Sequence, residues 1–165
     1  MSALASLLSL DKRLRMRAVR ELPASPALAY ALRRVLFTDT DAEVRAVAAR
    51  RLGELSREVG FDGRSVEGWL VDALGDRSPL VRDTLLRSLA KVGSSSAAPV
   101  VRVLVASDRL WWVRRTAVYT LAALTGAADV ATFKAVLADP FWRVRHAAGR
   151  SSPCSARVTS TCVTM

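Results

Sequence analysis

The stretch that decides the fold runs from Asp108 to Leu124, DRLWWVRRTAVYTLAAL. Val113, Ala117, Leu121 and Leu124 fall at i, i+4, i+8 and i+11, one apolar stripe of a 3.6-residue period, and Asp108 stands where an N-cap would accept the first backbone N–H groups. A single helix cannot bury such a stripe by itself, so the segment needs neighbours of its own kind.

The neighbours are present as copies. An Asp followed five positions later by an apolar residue and six positions later by Arg recurs as Asp11/Met16/Arg17, Asp39/Val44/Arg45, Asp76/Val81/Arg82, Asp108/Val113/Arg114 and Asp139/Val144/Arg145. Successive Asp residues lie 28, 37, 32 and 31 positions apart, inside the window of roughly 20–50 residues typical of stacked arrays. A small or apolar residue stands nine positions after the Asp in four copies (Ala48, Leu85, Ala117, Ala148), and Leu stands at thirteen in three (Leu52, Leu89, Leu121). The first copy departs, with Arg20 and Ala24 at those places.

At these residues the chain resembles the HEAT-repeat family, whose units are two antiparallel helices with an Asp in the intervening turn and a Val-Arg pair opening the second helix. The resemblance covers Ala3 to Gly149. It implies an all-α, right-handed α-solenoid of about five helix-pair repeats. It also implies that the motif residues Asp11, Arg17, Asp39, Arg45, Asp76, Arg82, Asp108, Arg114, Asp139 and Arg145 are architecture, bonding between neighbouring turns.

Along the chain the periodicity predicts helices over Ala3–Ser9, Lys12–Leu22, Pro26–Phe37, Ala42–Val59, Ser65–Leu74, a segment capped by Ser78 and closed by Gly93, Ala97–Ala106, the Trp-rich segment, Val130–Ala138 and a last one opened by Asp139-Pro140. No strand is expected. Residues 1–150 form the expected solenoid domain. From 151 to 165 the pattern fails: Ser152 stands where Leu is expected, Pro153 breaks a helix, and Cys154 and Cys162 have no His or Cys partners for a metal or redox motif. This tail is expected to be a disordered addition or the end of a truncated or frame-shifted gene, leaving Val136, Leu137, Val144 and Ala148 partly exposed.

Composition narrows the function. A hydrophobic content of 51% with 24% charged residues over 165 positions is that of a globular chain. No window reaches the ~20 apolar residues of a membrane span, and the start, MSALASLLSL, lacks a basic region before its apolar run. A cytoplasmic location and no membrane partner are therefore expected. The single histidine, His146, has no supporting base or ligand in a recognisable pattern. No catalytic residue, metal or cofactor is expected. The formal charge of +10 suits a polyanionic partner, although the bias of the basic residues toward Arg also follows from a GC-rich coding sequence.

Placing the repeats in one register locates the candidate binding face. Eleven positions after the motif Asp come Arg50, Arg87, Tyr119 and Arg150; seven positions after it come Ala18, Ala46, Asp83, Arg115 and His146. Arg50, Arg87, Arg115, Tyr119, His146 and Arg150 are expected to make a basic, partly aromatic stripe on the inner helices, with Trp112 an exposed ring beside it. Trp111 and Trp142 share one register position, which argues for packing over helix ends. The expected function is a non-catalytic scaffold binding a protein or peptide on this face, with nucleic acid as the alternative partner. A third reading rests on WVRRTAV, Trp112 to Val118, which looks like a segment of HEAT-like DNA glycosylases that excise alkylated bases; those enzymes also use a carboxylate and further tryptophans, for which only Trp69 and Asp72 are on offer.

Overall fold

The computed structural model describes residues 3–151 other than 22, 24 and 59–62. The expectations for Val59 and for residues 152–165 lie outside them. Among the described residues there are α-helices and short 3-10 turns and no strand, as the periodicity predicts. No helix among them is long and apolar enough to cross a membrane. The chain falls into two compact units, residues 1–94 and 95–165.

Unit 1 contains α1 (Ala3–Ser6), α2 (Lys12–Glu21), α3 (Pro26–Thr38), α4 (Ala42–Glu58), α5 (Gly63–Asp72), extended by a 3-10 turn over Ala73–Gly75, and α6 (Pro79–Val92). The helix ends follow local chemistry. Ser25 caps α3, its Oγ accepting the Leu28 N–H at 3.1 Å, and Pro26 occupies the first turn, where a missing N–H costs nothing. Gly93 closes α6 at φ 77°, a left-handed backbone that favours glycine, and donates to the Leu89 carbonyl. The long α4 packs against α2, α3, α5 and α6. Its stripe of Val44, Ala48, Leu52 and Leu55 is buried, as is the equivalent Val81, Leu85 and Leu89 of α6, each fully buried aliphatic side chain being worth about 1.5–3 kcal/mol.

The α4–α6 contact is close at one point. A Cβ added to the buried Gly53 would stand 2.8 Å from Ser88 Cβ. Gly53→Ala is therefore expected to lower stability by about 1–3 kcal/mol through overpacking, despite the better helix propensity of Ala. Thermal unfolding checks it, and Ser88→Gly in the same chain should recover most of the loss; a Gly53→Ala variant as stable as the parent contradicts the close approach.

Unit 2 begins with a 3-10 turn over Ser95–Ala97 and contains α7 (Ala98–Ser107), α8 (Trp111–Thr125), a 3-10 turn over Gly126–Ala128, α9 (Val130–Val136) and α10 (Trp142–Ser151). The inner helices α8 and α10 pack on each other, and α7 covers α8 from the outer side. Val113, Ala117, Leu121 and Leu124 are buried as the stripe requires. Val136, Val144 and Ala148 are buried too, contrary to the expectation of partial exposure, because the α10 stripe faces α8 and α9; only Leu137 of that group is exposed.

Candidate functional site

The motif residues Asp39, Asp76, Asp108 and Asp139 sit in the turn before an inner helix, and Asp39, Asp76 and Asp139 serve two purposes there. In all four, Oδ1 accepts the N–H two residues on: Asp41 to Asp39 at 2.9 Å, Ser78 to Asp76 at 2.7 Å, Leu110 to Asp108 at 3.0 Å and Phe141 to Asp139 at 2.8 Å. The residue two positions after the motif Asp opens the helix: the Ser78, Leu110 and Phe141 carbonyls accept the N–H groups of Val81, Val113 and Val144, and of these four only Asp41 adds its side chain, Oδ1 accepting from Glu43 at 2.8 Å. Asp108 is therefore not the N-cap of α8; Leu110 stands there.

The second purpose is to receive an arginine from the preceding repeat. Arg45 grips Asp76 with Nε at 2.8 Å and Nη2 at 2.9 Å, and Arg114 grips Asp139 at 2.7 and 2.9 Å. Their remaining Nη1 donates to the carbonyl of their own motif Asp, Asp39 at 2.9 Å and Asp108 at 2.8 Å. Arg82 and Arg145 donate to the Asp76 and Asp139 carbonyls in the same way, at 2.8 and 2.7 Å. Planar guanidinium geometry suits this bidentate pairing, which a Lys could not reproduce. Hydrogen bonding to the Asp raises the pKa of Arg45 and Arg114. Asp139 is held below its ordinary 3.8 chiefly by Arg114; for Asp76 burial pushes the other way, and Arg45 with the Ser78 N–H outweighs it.

The first copy corrects the sequence register by two residues. Arg15, not Arg17, grips Asp39, at 2.7 and 3.0 Å, and its Nη1 reaches the Ser9 carbonyl at 2.8 Å. Arg17 lies on the exposed side and pairs with Glu21 one turn on. Asp11 corresponds to Asp41, its Oδ1 accepting the Arg13 N–H at 2.8 Å, while Ser9 fills the motif-Asp place and accepts from Asp11 N–H at 3.1 Å. The signal was available: counted from Ser9, position nine is the small residue Ala18 and position thirteen is Leu22.

The candidate binding residues divide between the units. In unit 1, Arg50 on α4 and Arg87 on α6 are exposed, and Arg87 donates to Asp83 four residues back at 2.8 Å. In unit 2, Arg115 and Tyr119 on α8 and His146 and Arg150 on α10 are exposed on packed neighbouring helices. The Arg115 guanidinium lies over the Tyr119 ring, 5.4 Å from its centroid. Position eleven of the register is exposed in every described copy. Position seven is not, since Ala46 and Asp83 are buried there and only the long side chains of Arg115 and His146 reach water.

Trp111 packs as expected, but Trp112 and Trp142 depart from expectation. Trp112 is half-buried, whereas Trp142 is 60% exposed. Trp111 is covered by the Phe141 ring of the next repeat, stacked at 6.2 Å. Arg143, which occupies the Trp112 place in its own repeat, stands 5.1 Å from both the Trp111 and Trp142 rings. Two further features escape periodicity. Arg102 holds the buried Asp129 at 2.6 Å, tying α7 to the start of α9. On the outer side of unit 1, Arg33 lies 5.6 Å from both Phe37 and Trp69, with Tyr30 5.4 Å from Trp69. Of WVRRTAV, Val113, Ala117 and Val118 are core and Arg114 is a turn clamp, and Trp69 is engaged with Tyr30 and Arg33.

The family model that matches, over residues 67–152, is the one described as HEAT repeats. No curated protein sequence matches the chain. Among solved structures, the complex of CpcE and CpcF of phycocyanin lyase from Nostoc sp. PCC7120 contains a chain of similar fold, with a TM-score of 0.71 and 24% identity; the alignment covers 90% of this chain and 62% of that one. The chain thus spans less than two thirds of that relative's length. Two engineered proteins are also similar, with TM-scores of 0.58 and 0.55 and identities of 22% and 21%, each over 90% of this chain and over 76% and 46% of theirs.

Proposed function

Because this chain belongs to the HEAT-repeat family, we propose that it is a non-catalytic scaffold that binds a protein or peptide on the exposed side of its inner helices. The supporting observation is the division of labour among its charged residues. The recurring Asp and Arg are engaged in the turns, while position eleven of the inner helices, Arg50, Arg87, Tyr119 and Arg150, is exposed, and among the described residues Arg87 meets only Asp83 on its own helix and Tyr119 only Arg115 on its own. In a fold whose inner helices recur, such positions offer a repeating contact surface within each unit. A chain of similar fold has been solved in complex with a second protein, in keeping with this role.

A photo-crosslinking side chain at Tyr119 tests it, with the exposed Val103 of the outer helix α7 as control. The expected result in cells is a discrete adduct with another protein from Tyr119 and none from Val103. Adducts from Val103 alone, or equally from both, contradict the assignment of the face. The net charge of +10 favours nucleic acid as the second reading; there, affinity should fall with salt by a log–log slope of about 0.9 per phosphate contact on duplex DNA.

A further inference from the structure

Unit 2 has an unusual charge distribution that follows from its turn chemistry. Its acidic residues are Asp108, Asp129 and Asp139, with no Glu. Asp108 and Asp129 are buried, and Asp139 is almost covered, with its side chain 9% exposed. Arg102 neutralises Asp129 and Arg114 neutralises Asp139, and Asp108 turns its Oδ1 to the Leu110 N–H. Arg109, Arg115, Lys134, Arg143 and Arg150 meanwhile stand exposed, with no carboxylate partner among the described residues. The described surface of this unit therefore presents cations and no anions, a field that attracts one sign of partner and repels the other.

Two of the cations on the inner helices, Arg115 and Arg143, are also held in place. Arg115 rests on Tyr119, and Arg143 lies near Trp111 and Trp142. Contact with a ring restrains the side chain while leaving the N–H edge of the guanidinium open to a bidentate acceptor, so less freedom is lost on binding. Beside them, Trp142 and Phe141 expose 60% and 47% of their surface, and Leu137 exposes 52%.

We infer, on the reading that the inner-helix face binds a polypeptide, that the partner of unit 2 is an acidic peptide with interspersed apolar side chains, its carboxylates on Arg115, Arg143 and Arg150 and its apolar groups on Tyr119 and Trp142. The spacing suits an extended chain. Arg143 and Arg150 lie on one face of α10 two turns apart, about 10.5 Å, which an extended peptide covers in three residues at roughly 3.3–3.6 Å each. Nucleic-acid interfaces are more polar and more positively charged than protein–protein ones, whereas unit 2 exposes Phe141, Trp142 and Leu137 as well as its arginines.

The test is fluorescence anisotropy of the full chain with a fluorescein-labelled peptide bearing Glu at every third position and Leu and Trp between. Its controls are the same peptide with Gln for Glu and a single-stranded oligonucleotide of equal charge. The Gln peptide is expected to bind at least about tenfold more weakly, and Arg115→Glu or Arg150→Glu to weaken the Glu peptide by a similar factor. Arg34→Glu, on the outer helix α3, should leave it unchanged, with circular dichroism showing each variant folded. Trp142→Ala should weaken the peptide and spare the oligonucleotide. An oligonucleotide bound as tightly as the peptide, or equal weakening by Arg34→Glu, overturns the inference in favour of non-specific polyanion binding. If no peptide binds while Tyr119 still crosslinks to a protein, the acidic partner is refuted and the binding face stands; if both fail, both fall.

Discussion

Replacing Asp76 by Ala is expected to destabilise unit 1 by about 3–5 kcal/mol, the cost of leaving a buried charge without its partner. Arg45 and Asp76 are nearly covered, their side chains 5% and 11% exposed. Removing the carboxylate strips two charge-assisted bonds from Arg45 and leaves the Ser78 N–H without its acceptor at the entry to α6. Arg17→Ala, by contrast, removes an exposed pair and should change stability by no more than about 0.5 kcal/mol. Chemical denaturation of the two variants checks the contrast. Acid should reproduce part of the Asp76 effect: its folded pKa and that of Asp139 lie below the ordinary 3.8, so their contribution is full above that value and is lost as pH falls through the lower folded one.

Val113→Asp is the second large effect. Val113 is fully buried in the α8 stripe, so the substitution forfeits about 1.5–3 kcal/mol of apolar burial and adds a penalty of several kcal/mol for an unpartnered carboxyl. Loss of cooperative unfolding in unit 2 is the expected outcome, followed by the helical signal on heating. Arg87→Ala removes a side chain that is 66% exposed, and its pair with Asp83 is worth at most about 1 kcal/mol. An Arg87→Ala variant less stable than Val113→Asp would mean that the faces of the inner helices had been assigned the wrong way round.

The helices and their buried stripes were legible because burial imposes a 3.6-residue period on apolar residues, and Val44, Val81, Val113 and Val144 all lie in the core as that period requires. The first copy was misread because Asp11 and Arg17 satisfy the same spacing as the true pair while serving as helix cap and surface residue. Spacing identifies a residue type at a distance; it does not say which of two nearby arginines, Arg15 or Arg17, reaches Asp39. Position seven misled for a related reason: it borders the core, so its exposure depends on side-chain length, short for Ala46 and long for Arg115. Trp142 and Arg143 depend on which rings meet across repeats, and Arg102–Asp129 on an outer-helix contact with no counterpart in the motif. Neither leaves a periodic trace.

With the recurring Asp and Arg as architecture, the exposed inner-helix positions are left to carry function. The most direct measurement is a double-mutant cycle on Arg45 and Asp76, with Asp76→Ala, Arg45→Met and both together compared by denaturant unfolding. The expected result is a coupling of about 1–3 kcal/mol, the double variant recovering much of the Asp76→Ala loss because no unpaired charge remains; the residue reflects the Asp39 and Thr40 carbonyls and the Ser78 N–H that lose their partners. Strictly additive losses, or an Asp76→Ala variant as stable as the parent, would contradict that architectural role.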